Sequence, residues 1–116
     1  MNPQVTISSS AHYCLINLSG RFVEDESDLA LIEQVENQCA LGQSRFIIDL
    51  SALSYMNSTG INLLVKCIKR LNDRQAKLVF TAVPEHILEL LNIIQLNSII
   101  HISPSIEEGI QTLNLA

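Results

Sequence analysis

Tryptophan is absent from this 116-residue chain, and aromatic residues make up only 4% of it. Its core must therefore be built mainly from Leu, Ile and Val. Charge is scarce as well, at 16% against 47% hydrophobic residues, which marks a globular chain rather than a disordered one. Basic residues are outnumbered. Seven Lys and Arg against twelve Asp and Glu leave a net charge of −5, which argues against nonspecific binding of nucleic acid as the main activity. Cys14, Cys39 and Cys67 are odd in number, widely spaced and without a CxxC pair, a pattern that fits reduced, intracellular thiols. No apolar run reaches about 18 residues, so membrane insertion is not expected. The opening Met1-Asn2-Pro3-Gln4 lacks the basic and apolar regions of a secretory signal. The expectation is a cytoplasmic protein with one domain over residues 1–116, large enough to bury a core without metal or disulfide help.

The residues of common enzyme sites are also missing. His12, His86 and His101 fall in different predicted elements with no ligand spacing to one another or to the cysteines, so no metal is expected. Gly20, Gly42, Gly60 and Gly109 form neither a GxGxxG fingerprint nor a Walker loop, and no cofactor is expected. Ser58 does not stand in a G-x-S-x-G elbow. The chain does not read as an enzyme.

What is present is regular alternation of strand and helix patterns. Residues 5–7 and 12–18 alternate as strands, with Ser8-Ser9-Ser10 as a hairpin connection and Ser19-Gly20 as a closing turn. Residues 25–41 read as a helix with acids in its first turn and Gly42 at its end. Phe46-Ile47-Ile48 reads as a central strand buried on both faces, followed by a short loop. From Ser58 to about Asn72, Ile61, Leu64, Val65, Ile68 and Leu71 recur at helical spacing, widened by Leu63 and Cys67. Residues 77–83 form another buried strand. Pro84 starts a helix over 85–96, residues 99–102 form a last strand, and Ser105 caps a C-terminal helix carrying Ile106, Ile110 and Leu113. The order ββαβαβαβα predicts an α/β fold: a mixed, mostly parallel sheet with covering helices.

Charge is uneven along this pattern. Glu24, Asp25, Glu26, Asp28, Glu33 and Glu36 crowd the first third, and Lys66, Lys69, Arg70, Arg74 and Lys77 the middle. The basic group either complements the dipole of its own helix end or forms a docking patch for an acidic partner.

The most informative stretch is Asp49-Leu50-Ser51-Ala52-Leu53-Ser54-Tyr55-Met56-Asn57-Ser58-Thr59-Gly60-Ile61. A buried strand leads to two adjacent hydroxyls and a glycine at the start of an amphipathic helix. There Ser58 is either a plain N-cap or a place where an added phosphate changes the local charge sharply. Asp49 either bonds loop N–H groups or orders the segment leading to Ser58. Asn57 suits an unusual turn conformation. Gly60 costs about 1 kcal/mol against Ala inside a helix, which makes sense where another backbone must come close.

This stretch resembles the phosphorylation-site segment of STAS domains, in particular the bacterial anti-sigma factor antagonists. The likeness extends to Leu18-Ser19-Gly20-Arg21-Phe22, to Lys77-Leu78-Val79-Phe80 with Pro84, and to Ile106-Glu107-Glu108-Gly109-Ile110. It implies a STAS-like fold and a partner-switching role. Unmodified antagonist binds an anti-sigma factor with a histidine-kinase-like ATPase fold. That serine kinase then phosphorylates Ser58, with Thr59 as the runner-up acceptor, and a PP2C-type phosphatase reverses the step. Asp49, Ser51, Tyr55, Met56, Asn57, Ser58, Thr59, Gly60 and Asn62 are the implied switch and partner-binding residues. Two positions depart from the family pattern: Asn57 stands where Asp is often found, and Gln95 where Gly is usual. The alternative is a non-switching STAS interaction module, such as a subunit of a lipid-transport ATPase complex.

Overall fold

The computed structural model describes residues 4–10, 12–22, 27–56, 58–93 and 100–115. The elements run β1 (Gln4–Ser9), β2 (Cys14–Phe22), α1 (Ser27–Ala40), β3 (Arg45–Met56), α2 (Ser58–Asp73), β4 (Lys77–Thr81), α3 (Glu85–Ile93), β5 (His101–Ser103) and α4 (Ile106–Leu115). This is the ββαβαβαβα order that the patterning predicts. The five strands form one sheet in the order β1-β2-β3-β4-β5. β1 pairs antiparallel with β2 through a tight connection, and every later neighbour is parallel. Parallel neighbours require a crossover, and α1, α2 and α3 each supply one.

Strand alternation sorts the side chains into two layers. Cys14, Ile16 and Leu18 of β2, Phe46, Ile48 and Leu50 of β3, and Leu78 and Phe80 of β4 form the main core. They meet Leu31 and Val35 of α1, Leu63, Leu64, Cys67, Ile68 and Leu71 of α2, and Ile87 of α3. Ile47 and Val79 face the other way and join Leu113, with Ile110 packed alongside. So α4 covers the opposite face of the sheet, and Phe46, Ile47 and Ile48 are fully buried, as expected of a central strand. α4 lies close to that face. A Cβ on Gly109 would stand 3.0 Å from Thr81 Cγ2 and 3.3 Å from Val79 Cγ1, which explains a glycine in the middle of a helix.

The helix ends follow from backbone hydrogen bonding. Gly42 N–H donates to the Cys39 carbonyl and Gln43 N–H to Gln38, both at 3.0 Å, with Gly42 at φ +94°. This is a Schellman closure of α1. α2 closes in the same way, with Ala76 N–H on Leu71 and Gln75 N–H on Asn72. Here the left-handed position is held by Gln75, at φ +59°. At α4 the Ser105 hydroxyl accepts from Glu108 N–H at 3.3 Å, the capping arrangement read from the sequence.

Two expectations are corrected. The segment after Ile48 is not a loop, because β3 continues as strand to Met56. Nor do Ser19 and Gly20 close a turn, because β2 runs through them to Phe22. The two extensions pair with each other, and the register slips twice, from Asn17↔Asp49 to Ser19↔Ala52 and from Gly20↔Leu53 to Arg21↔Tyr55. Each slip places one extra residue in β3, as a β-bulge does. Gly20, buried at φ +82°, supplies the left-handed conformation beside the second slip. Bulged strands break the strict two-residue period, which is why this stretch reads as turn and loop. The predicted helix residues 25 and 26, the end of the third helix at 94–96 and the strand residue 99 lie outside the described residues.

Candidate functional site

β3 and α2 meet where the extended strand ends. Beyond Asp49, β3 no longer pairs with β4, whose register ends at Asp49↔Thr81, and continues beside β2 alone. The strand thus runs on past the end of β4, as one of a pair with β2. Met56, only 4% exposed, anchors its tip in the main core. Tyr55, the neighbour on the other face of the strand, is 44% exposed. After Asn57, which lies outside the described residues, α2 opens at Ser58 and continues through Thr59 to a buried Gly60. Asn62, one turn further, is exposed. The backbone N–H groups of a first helical turn have no intrahelical partners, and they carry the positive end of the helix dipole. α2 has no acidic residue in its first turn. A phosphate added there meets favourable dipole and N–H groups without a neighbouring carboxylate from its own turn.

Asp49 and Ser51 do not join this end. Seven residue steps of strand lead from Asp49 to Met56, on the order of 20 Å at the usual rise. The two instead secure the root of the extension. Asp49 is 5% exposed, and its carboxylate accepts from Thr81 Oγ1 at 2.7 Å and from Ser51 Oγ at 2.5 Å. A buried carboxylate is stable only when its oxygens are bonded, and each oxygen here has a hydroxyl donor. Thr81 is the partner that the sequence reading missed. The available signal was a hydroxyl at the end of an otherwise apolar strand, Leu78-Val79-Phe80-Thr81. Asn17, Asp49, Thr81 and Ser103 are successive register partners across β2, β3, β4 and β5. They form one polar row where the parallel pairing of β3 and β4 stops.

A second feature ties the helices that flank the site. Arg70 and Arg74 of the α2 end both reach Glu36 on α1, Arg70 at 3.3 Å. The Arg74 hydrogen bond, aided by Arg70, holds the Glu36 carboxyl below its usual 4.5. This contribution is present at neutral pH and lost as the pH falls through the lowered value.

Burial pushes Cys14 up to about 11 and Cys67 up to about 12, and burial likewise raises Cys39, which is only half-buried. Thiolate is the reactive form. Alkylation of the native protein at pH 8, followed by peptide mass analysis, is therefore expected to label Cys39 first and Cys67 last, with Cys67 reacting fully only after unfolding. The burial of Cys67 favours the folded state fully below pH 9.0, and that contribution declines as the pH rises toward 12. Among the described residues no group of three His, Cys, Asp or Glu is placed to hold a metal ion, and no helix is long and apolar enough to cross a membrane.

The STAS domain family model matches residues 2–109. The chain belongs to the STAS domain family. Among curated relatives, the anti-sigma-B factor antagonist of Listeria monocytogenes is 40% identical over 55 residues, covering 47% of this chain and 48% of that protein. The match thus spans about half the length of such relatives. Among solved structures, a variant of RsbS from Moorella thermoacetica superposes with a TM-score of 0.81 at 17% identity, covering 97% of this chain and 96% of that one. The phosphorylated form of the Bacillus cell fate determinant SpoIIAA superposes with a TM-score of 0.77 at 14% identity, covering 95% and 99%. These likenesses establish the STAS fold for the sheet and helices described above.

Proposed function

We propose that this STAS protein is an anti-sigma factor antagonist switched by phosphorylation at Ser58. The observation that carries the reading is the position of Ser58 as the first residue of α2, at the end of a strand that runs on past β4 beside β2 alone. Two comparisons support it. A curated relative is named an anti-sigma-B factor antagonist, and a structural neighbour was solved in a phosphorylated form. In this reading the chain is a substrate, and the catalytic groups belong to the partner, a serine kinase with a histidine-kinase-like ATPase fold. The unmodified tip, with Tyr55, Ser58, Thr59 and Asn62, docks on that kinase and displaces its sigma factor. A phosphoserine adds roughly −1.5 to −2 charge and three acceptor oxygens. The helix terminus tolerates that charge, so the fold persists, while an interface closed around a small hydroxyl does not. A PP2C-type phosphatase restores the binding form.

The antagonist role is tested by displacement. Adding the unmodified protein to a purified kinase–sigma complex is expected to release free sigma factor, read by native mass spectrometry or size exclusion. The protein phosphorylated on Ser58 is expected to release none. A kinase–sigma complex unmoved by excess unmodified protein would contradict the role.

A further inference from the structure

The outer face of α2 carries a concentration of positive charge that neither the core nor the Ser58 switch uses. Four of the chain's seven basic residues, Lys66, Lys69, Arg70 and Arg74, lie on α2 or just past its end, and all four are exposed. Asn62, Lys66 and Lys69 follow one another at i, i+4 and i+7, so they share one helix face. Arg70 and Arg74 are engaged by Glu36. Lys66 and Lys69 have no ion-pair partner among the described residues. Complementing the helix dipole explains cations in the last turn, but Lys66 lies mid-helix.

We propose that this face is the second half of the partner interface and that it docks against an acidic surface of the partner protein. The inference rests on the reading of Ser58 as the switch and adds where the interface extends and what charge meets it. Lys66 and Lys69 stand about 12 and 17 Å along the helix from Ser58 at 1.5 Å per residue. An ordinary interface covers about 800 Å² of each partner, so one centred on Ser58 reaches both lysines. Charge complementarity chooses the occupant. A net charge of −5 repels most acidic proteins, and a local cationic stripe restores attraction in one orientation only. It also gives the switch its sign, because an acidic surface drawn to Lys66 and Lys69 repels a phosphate on Ser58 of the same helix. A polyanion such as DNA fits less well. Contact with about six to ten phosphates is usual for such binding, and here two of the four cations are held by Glu36 while Asp73 sits in the same stripe. A membrane surface needs an amphipathic helix with its apolar side free, and that side of α2 is in the core.

The test is site-specific photo-cross-linking in the native cells. The protein carries p-benzoylphenylalanine at Asn72 or Asp73, both exposed on α2 next to the lysines and leaving them intact, or at Gln111 on α4 as a control. Expected is a cross-link from both α2 positions to an Asp- and Glu-rich segment of one protein, and none from position 111. In Lys66→Glu/Lys69→Glu the yield should fall about tenfold, and in Lys66→Arg/Lys69→Arg it should be kept. Circular dichroism shows that each variant is folded. Cross-links to lipid or nucleic acid, cross-links unchanged by the charge reversal, or no cross-link from either position would each overturn the proposal. Phosphate on Ser58 without these cross-links leaves the switch standing and removes this surface. Cross-links without phosphate leave the surface and remove the switch.

Discussion

Ser58→Glu is expected to keep its fold and to bind the serine kinase at least about a hundredfold more weakly than wild type. Both halves follow from position. A carboxylate in the first turn of α2 is favoured by the helix dipole by about 0.3–1 kcal/mol, so the melting temperature should stay within a few degrees of wild type. In the complex the same carboxylate is a charge without a partner in a closed interface, and such charges cost about 3–5 kcal/mol. That is a factor of a hundred or more in affinity. Ser58→Ala separates charge from loss of the hydroxyl: it should bind like wild type and, with Ser58 as the acceptor, stay bound in the presence of ATP, since position 58 then has no hydroxyl to phosphorylate. Isothermal titration of the three proteins against the kinase checks this. A Ser58→Glu variant that binds as tightly as wild type would reject the electrostatic switch.

The second large effect concerns the fold. Phe80 is fully buried in the main core, facing α2 and α3 from β4, next to Ile48 in register. Phe80→Ala is expected to cost about 3–5 kcal/mol, the range for removing a buried phenylalanine and leaving a cavity. This is a large fraction of a typical domain's stability of about 5–15 kcal/mol. Urea unfolding followed by circular dichroism reads it directly. A loss below about 1 kcal/mol would mean that the core collapses around the gap and that Phe80 is not central to it.

The two predictions draw on different depths of the sequence. The core was legible because its signals are periodic. Leu64, Ile68 and Leu71 recur at helical spacing, and Phe46-Ile47-Ile48 is an uninterrupted apolar strand, so the layer order and the element types follow from pattern alone. Helix ends were legible where chemistry is local, as with Gly42 after α1 and Ser105 before α4. The path from Asp49 to Met56 was not legible as strand. Its two register slips place extra residues against β2, and a bulged strand loses the alternation by which strands are recognised. Gly20, read as a turn, is the compensating residue on the partner strand.

The candidate site divides in the same way. Ser58, Thr59 and Gly60 could be placed from their position between an apolar strand and an amphipathic helix, and the structure opens α2 at Ser58. Asp49 and Ser51 were grouped with them by the resemblance of the whole stretch to the STAS phosphorylation-site segment, and in space they lie at the root of the strand. The bond that Asp49 accepts from Thr81 joins residues 32 positions apart, and a pairing of that range appears in one sequence only as two unrelated polar residues. The basic residues of α2 were visible as a cluster. That Arg70 and Arg74 serve Glu36 while Lys66 and Lys69 do not became visible only once α1 and α2 were laid side by side.

The most direct test of the switch is intact-mass and phosphopeptide analysis of the protein purified from its native cells under phosphatase inhibition. The account predicts a singly phosphorylated population with the phosphate on Ser58, its fraction changing with growth conditions. Phosphate on Thr59 alone would move the acceptor by one residue, and a protein unmodified under every condition would contradict the switch.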